Sequence, residues 1–122
     1  MESMTGSLPR STSLTFEIPI TYRGMPSMPV YLIAQLNIHD RATYAKYGSA
    51  FMDIFSPYGG RLLSVDEAPQ VLEGEWGHTR TVLLEFPSEE QAHAWYGSAD
   101  YQAIAQHRRA ASTANVVLIR GR

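Results

Sequence analysis

Val30-Tyr31-Leu32-Ile33-Ala34-Gln35-Leu36-Asn37-Ile38 is β-branched or otherwise apolar at nearly every position, the composition of a strand covered on both faces. It reads as a central strand of a sheet. Asp40 follows as a helix cap, and Tyr44, Tyr47, Gly48, Phe51 and Phe55 then recur at the spacing of one helical face. Gly59-Gly60 stops that helix, because a helix end favours a residue free to take positive φ. Arg61 to Val65 and Gln70 to Gly74 read as short strands on either side of Asp66 to Pro69, so a bent or broken second strand is expected. Thr79 to Phe86 reads as a further strand. Pro87-Ser88-Glu89-Glu90-Gln91 carries a Ser-x-x-Gln capping box with acidic residues in the first turn, which predicts a helix from Ser88. Gly97 breaks that helix, Ser98 can cap a second segment, and Tyr101, Ile104, Ala105 and Arg108 continue at helical spacing. Asn115 to Arg120 closes the chain as a strand.

Strand, helix, strand, strand, helix, strand is the βαββαβ order of the ferredoxin-like split βαβ fold, an α+β architecture with both helices on one face of an antiparallel sheet. An internal echo agrees with two related halves: Ala45-Lys46-Tyr47-Gly48-Ser49-Ala50 and Ala94-Trp95-Tyr96-Gly97-Ser98-Ala99 share five of six residues. The sheet's second face should be polar in a monomer. Instead Tyr31 and Ile33, Leu83, and Val117 and Ile119 occupy the alternate positions of three strands. Four strands of about five residues present roughly 300 Å² of projected sheet. At about 25 cal/mol per Å², covering it contributes on the order of 8 kcal/mol before association costs. A homodimer with stacked sheets is therefore expected.

The chain has 122 residues, 44% hydrophobic and 18% charged, which suits one globular core. A formal charge of −2 leaves no basic field for nucleic acid. The absence of cysteine rules out disulfides, a thiolate nucleophile and Cys-held metal sites. No apolar run approaches the roughly 18 to 20 residues that cross a bilayer, so no membrane partner is expected. The stretch 1–27 is rich in Ser, Thr and Pro and lacks a basic segment followed by an apolar one, which predicts a cytoplasmic protein. Within it Leu14, Phe16, Ile18, Ile20 and Tyr22 alternate with Thr15, Glu17, Pro19 and Thr21. Residues 1–27 thus read as an extension, flexible or adding an edge strand at 14–22, before a domain over 28–122.

Several short motifs occur together between Met28 and Gly121: Tyr31-Leu32-Ile33-Ala34-Gln35, Tyr58-Gly59-Gly60-Arg61, Val71-Leu72-Glu73-Gly74-Glu75-Trp76, Leu84-Glu85-Phe86-Pro87-Ser88, and Ala94-Trp95-Tyr96 with Ser98 and Tyr101-Gln102, then Arg108 with Ala110-Ala111. In this combination the sequence resembles the family catalogued as domain of unknown function 1330, of the dimeric α/β-barrel superfamily. The resemblance implies a ferredoxin-like subunit whose sheet pairs with that of a second subunit. It implies no assigned reaction, since the superfamily spans cofactor-free monooxygenases, isomerases, haem peroxidases and members without known chemistry.

Candidate chemistry is sparse. His39, His78, His93 and His107 form no ligand-spaced pair, so no metal is expected, and nucleophile-elbow, phosphate-loop and dinucleotide fingerprints are missing. No organic cofactor is called for. Arg61, Glu73, Glu85 and Arg108 are charges set beside core signals, and buried charges need partners. Arg108 shares a helical stripe with Tyr101, Ile104 and Ala105, which predicts that it faces the sheet and pairs with Glu85 or Glu73. The candidate ligand pocket comprises Arg108, Arg61, Glu85, Glu73, Tyr31, Tyr47, Trp95, Tyr101 and His107, where an arginine fork could hold a small organic or anionic ligand against an aromatic wall. Two functions fit: a dimeric small-molecule-binding module, or an organic-cofactor-independent enzyme, monooxygenase- or isomerase-like, acting on a small enolisable or aromatic compound.

Overall fold

The computed structural model describes residues 28–122. The alternating stretch 14–22 lies outside the described residues. The described chain runs β1 (Val30–Ile38), α1 (Arg41–Phe55), a 3-10 turn (Ser56–Tyr58), β2 (Arg61–Asp66), β3 (Arg80–Phe86), α2 (Glu89–Tyr96), α3 (Ala99–Ala111) and β4 (Ser112–Arg120). The strands form one antiparallel sheet in the order β2-β3-β1-β4. This is the ferredoxin-like α+β fold, with the second helical arm divided in two.

Each helix begins where a side chain satisfies its free N–H groups. Asp40 accepts from the Thr43 backbone N–H at 3.1 Å and from the Thr43 hydroxyl at 2.8 Å. Ser88 accepts from the Gln91 N–H at 3.2 Å, while the Gln91 amide donates across to the Tyr58 carbonyl at 3.0 Å and ties α2 to the turn after α1. Ser98 caps α3 through the Tyr101 N–H at 3.1 Å. The turn before β2 needs both its glycines. Gly59 has φ +78°, and a Cβ at Gly60 would lie 2.5 Å from the Phe55 ring and 2.9 Å from that of Phe86.

Strand alternation sorts the sheet into two faces. Val30, Leu32, Ala34 and Leu36 of β1 are buried beneath the helices, and their cross-strand partners Phe86, Leu84, Val82 and Arg80 share that face. Phe55, Trp95, Tyr101 and Ala105 close the core from the helical side. The opposite face carries Tyr31, Ile33, Gln35 and Asn37 beside Glu85, Leu83 and Thr81 on one flank and Ile119, Val117, Asn115 and Thr113 on the other.

One expected strand does not form. Residues 70–74 are irregular, and β2 ends at Asp66, whose carboxylate accepts from the Ala68 N–H at 2.9 Å. That turn and the following Pro69 lead the chain away from the sheet edge. Leu72 ends 90% exposed in the resulting loop. The expected irregularity of the second strand is a bulge between Leu62 and Ser64.

Candidate functional site

A cavity of about 180 Å³ lies between the helices and the sheet. Its sheet wall is aliphatic, with Leu32, Ala34 and Leu36 from β1 and Val82 and Leu84 from β3. Its helix wall is aromatic, with Tyr44, Tyr47 and Phe51 from α1, Trp95 from α2 and Tyr101 from α3. The 3.6-residue period places the three α1 rings on one face, and the broken second arm brings Trp95 and Tyr101 together, with ring centroids 4.1 Å apart.

Two cations line this apolar space, Arg108 from α3 and Arg80 from β3. Arg108 is only 7% exposed, its guanidinium carbon 5.8 Å from the Tyr47 ring centroid. The Ser112 hydroxyl donates to the Arg108 carbonyl at 2.6 Å and fixes the end of α3 behind it. Among the described residues no carboxylate pairs with Arg108. Burial works against its charge, but the oxygens of Tyr101, an acceptor for the guanidinium, and of Tyr47 outweigh it and leave the pKa raised. The Tyr47 and Tyr101 hydroxyls share a buried hydrogen bond of 2.9 Å. Burial first, and then the Tyr101 hydroxyl beside it, pushes the Tyr47 pKa far above the ordinary tyrosine value.

Arg80 is differently placed. It forms an ion pair with Glu67, donates to the Tyr44 hydroxyl at 3.3 Å and lies 5.1 Å from the Tyr44 ring centroid. One cavity arginine therefore has a carboxylate of its own while the other has only hydroxyls. The Trp95 indole is 1% exposed, and its Nε1 has no hydrogen-bond partner among the described residues.

The residues singled out from sequence divide between places. Arg108, Tyr47, Trp95 and Tyr101 meet at the cavity. Tyr31, Glu85 and Arg61 form a row on the opposite sheet face, where Arg61 Nε lies 3.2 Å from Glu85 Oε1. The hydrogen bond between Tyr31 and Glu85 raises the Tyr31 pKa. Glu85 thus pairs with Arg61 rather than with Arg108, because strand parity turns it away from Leu84 and Phe86, which face the helices. Glu73 is exposed in the loop after β2, and His107, one residue before Arg108, is turned about 100° around the helix from the cavity stripe. Arg80 was not anticipated from sequence, although it shares the parity of Val82, Leu84 and Phe86. Among the described residues no group of three His, Asp or Glu side chains could hold a metal ion, and no helix is long and apolar enough to cross a membrane.

The profile of a domain of unknown function, DUF1330, matches residues 29–122. The chain belongs to the DUF1330 family. No curated protein matches this DUF1330 chain. Among solved structures it is similar to a protein of unknown function from Rhodopseudomonas palustris, with TM-score 0.68 and 16% identity over 79% of this chain and 84% of that one. It is also similar to SnoaB, a cofactor-independent oxygenase from Streptomyces nogalater, with TM-score 0.56 and 13% identity over 79% of this chain and 95% of that one. At such identities the likeness shows the shared fold alone.

Proposed function

We propose that this DUF1330 protein is a homodimeric small-molecule-binding module that takes a small organic anion into the helix–sheet cavity, with Arg108 as the anchoring cation. The observation that carries this reading is Arg108 itself, a buried guanidinium lining an apolar cavity with tyrosine oxygens, and no carboxylate among the described residues, as its neighbours. Burying a cation is costly unless a counter-charge offsets it. An anion entering the cavity supplies that charge, and the planar fork matches a carboxylate.

Binding is better supported than proton abstraction. The described cavity residues include no carboxylate and no histidine, and Tyr47 is held protonated, as a donor rather than a base. The alternative, an enzyme without an organic cofactor, would need its base from elsewhere. Self-association is supported by the sheet face away from the helices, where Val117 and Ile119 are 52% and 46% exposed beside Ile33 and Leu83 of neighbouring strands. A second copy of the same sheet, stacked face to face, covers that patch. In this reading residues 28–122 are the binding domain and 1–27 an extension to it.

Thermal unfolding with a panel of small carboxylates tests the cavity. A ligand at ten times its Kd stabilises by about 1.4 kcal/mol, which raises the melting temperature of a domain this size by about 5 °C or more. Arg108→Met should abolish that shift while still unfolding cooperatively. A panel that shifts neither protein, or both equally, refutes the reading.

A further inference from the structure

We infer that the cavity selects a single-ring aromatic carboxylate bearing a second oxygen, the hydroxybenzoate class, with the carboxylate on Arg108 and the second oxygen accepting from the Trp95 indole N–H. This inference rests on the reading of the cavity as an anion site and adds the chemical class of the ligand.

Size sets the first limit. An apolar cavity of about 150 Å³ holds benzene, so a cavity of about 180 Å³ takes one ring with small substituents and has no room for fused rings. Charge sets the second. Arg80 already has Glu67, so the charge awaiting a partner is the single guanidinium of Arg108. One guanidinium in an apolar enclosure matches a carboxylate monoanion, whereas a phosphate dianion would bring more charge than the lining offsets. Ring preference follows from the walls. Phe51 and Trp95 stand edge to face with centroids 6.0 Å apart, opposite the flat aliphatic surface of β1 and β3, and a planar ligand can lie between these layers.

The second oxygen follows from Trp95. A fully buried indole N–H without an acceptor is an expensive arrangement, and the ring carrying it lines the cavity. A hydroxyl oxygen on the ligand ring supplies that acceptor. Arg108 and Trp95 together then ask for two oxygens on one small ring, and the ring position of the second is a question of geometry that the three isomers sample.

Isothermal titration calorimetry on the full chain, with 2-, 3- and 4-hydroxybenzoate, benzoate, 4-methylbenzoate and cyclohexanecarboxylate, tests the inference. One hydroxybenzoate should bind about tenfold or more tighter than benzoate, the value of one satisfied buried hydrogen bond. 4-Methylbenzoate should show no such gain and cyclohexanecarboxylate should bind more weakly than benzoate. Trp95→Phe should bring the favoured hydroxybenzoate to the affinity of benzoate, and Arg108→Met should weaken every anion about tenfold or more. Should the Trp95 variant fail to fold, the comparison of hydroxy with methyl substituents on the wild-type protein decides the same point. Equal binding of benzoate and all three hydroxybenzoates, or cyclohexanecarboxylate binding as tightly as benzoate, overturns the ligand class and leaves the anion site standing. Absence of binding by all six compounds, with no effect of Arg108→Met on stabilisation by any other carboxylate, overturns both.

Discussion

Replacing Tyr101 by phenylalanine removes one oxygen atom, and that oxygen serves two partners. It shares a buried 2.9 Å hydrogen bond with the Tyr47 hydroxyl and faces the Arg108 guanidinium as an acceptor. A buried neutral hydrogen bond contributes about 1 kcal/mol and one to a charged group about 1.5–3 kcal/mol, so Tyr101→Phe should cost roughly 2–4 kcal/mol. Tyr47→Phe removes only the first of these, because Tyr101 keeps Arg108, and should cost about 1 kcal/mol. The shared bond is counted in both single variants, so the double variant should fall short of their sum by about 1 kcal/mol. Urea denaturation of the four proteins at one fixed concentration measures all three quantities, the fixed concentration being needed if unfolding is linked to dissociation. The thermal midpoint of Tyr101→Phe should fall by about 10 °C or more, given about 4–8 °C per kcal/mol for a domain near 100 residues. Equal costs for the two single variants, or strict additivity in the double, would refute the view that Tyr101 is the hydroxyl holding the buried charge.

Light scattering after size exclusion should report twice the 13.6 kDa subunit mass, and Val117→Asp, in the middle of the outward face of β4, should shift it to one subunit; a wild-type monomer at micromolar concentration sinks the stacked-sheet dimer. Deleting residues 1–27 should leave a cooperative thermal transition, and loss of soluble protein would place that stretch inside the folding unit. Gly60→Ala should destabilise by about 1–3 kcal/mol, since its Cβ would meet the fully buried Phe55 and Phe86 rings. Gly48→Ala, in α1 with nothing within 4 Å of the added carbon, should instead stabilise by roughly 0.5–1 kcal/mol; the same urea titrations read both, and matching signs would refute the packing argument.

How much could be read from the chain depended on whether a feature is local. Asp40, Ser88 and Ser98 each mark a helix start by chemistry confined to three or four residues, and each cap is found in place. β1 needed only its own composition. Gln70–Gly74 carries the apolar residues Val71 and Leu72, but a strand exists only where a neighbour pairs with it, and the turn at Asp66 sends this segment off the edge. The position of Arg108 was legible for the same local reason as the caps, since the Tyr101–Ile104–Ala105 stripe fixes which way α3 turns.

The partner of Arg108 could not be read locally, because pairing across elements is decided by sheet parity rather than by proximity to apolar residues. Glu85 sits between two core residues in sequence, and that is the reason it cannot share their side of the sheet: Leu84 and Phe86 face the helices, so Glu85 faces away and finds Arg61. The same rule carried one step further along β3 assigns Arg80, two residues from Val82, to the cavity side. Parity thus distributes the charges of one short strand to opposite surfaces. The carboxylate goes to the outward face, where Arg61 pairs with it, and an arginine goes to the cavity, where Glu67 reaches it from the loop after β2. Arg108, arriving from the helical layer, meets neither carboxylate, and its tyrosine-lined surroundings are what distinguish a cavity able to receive an anion from a core already neutralised.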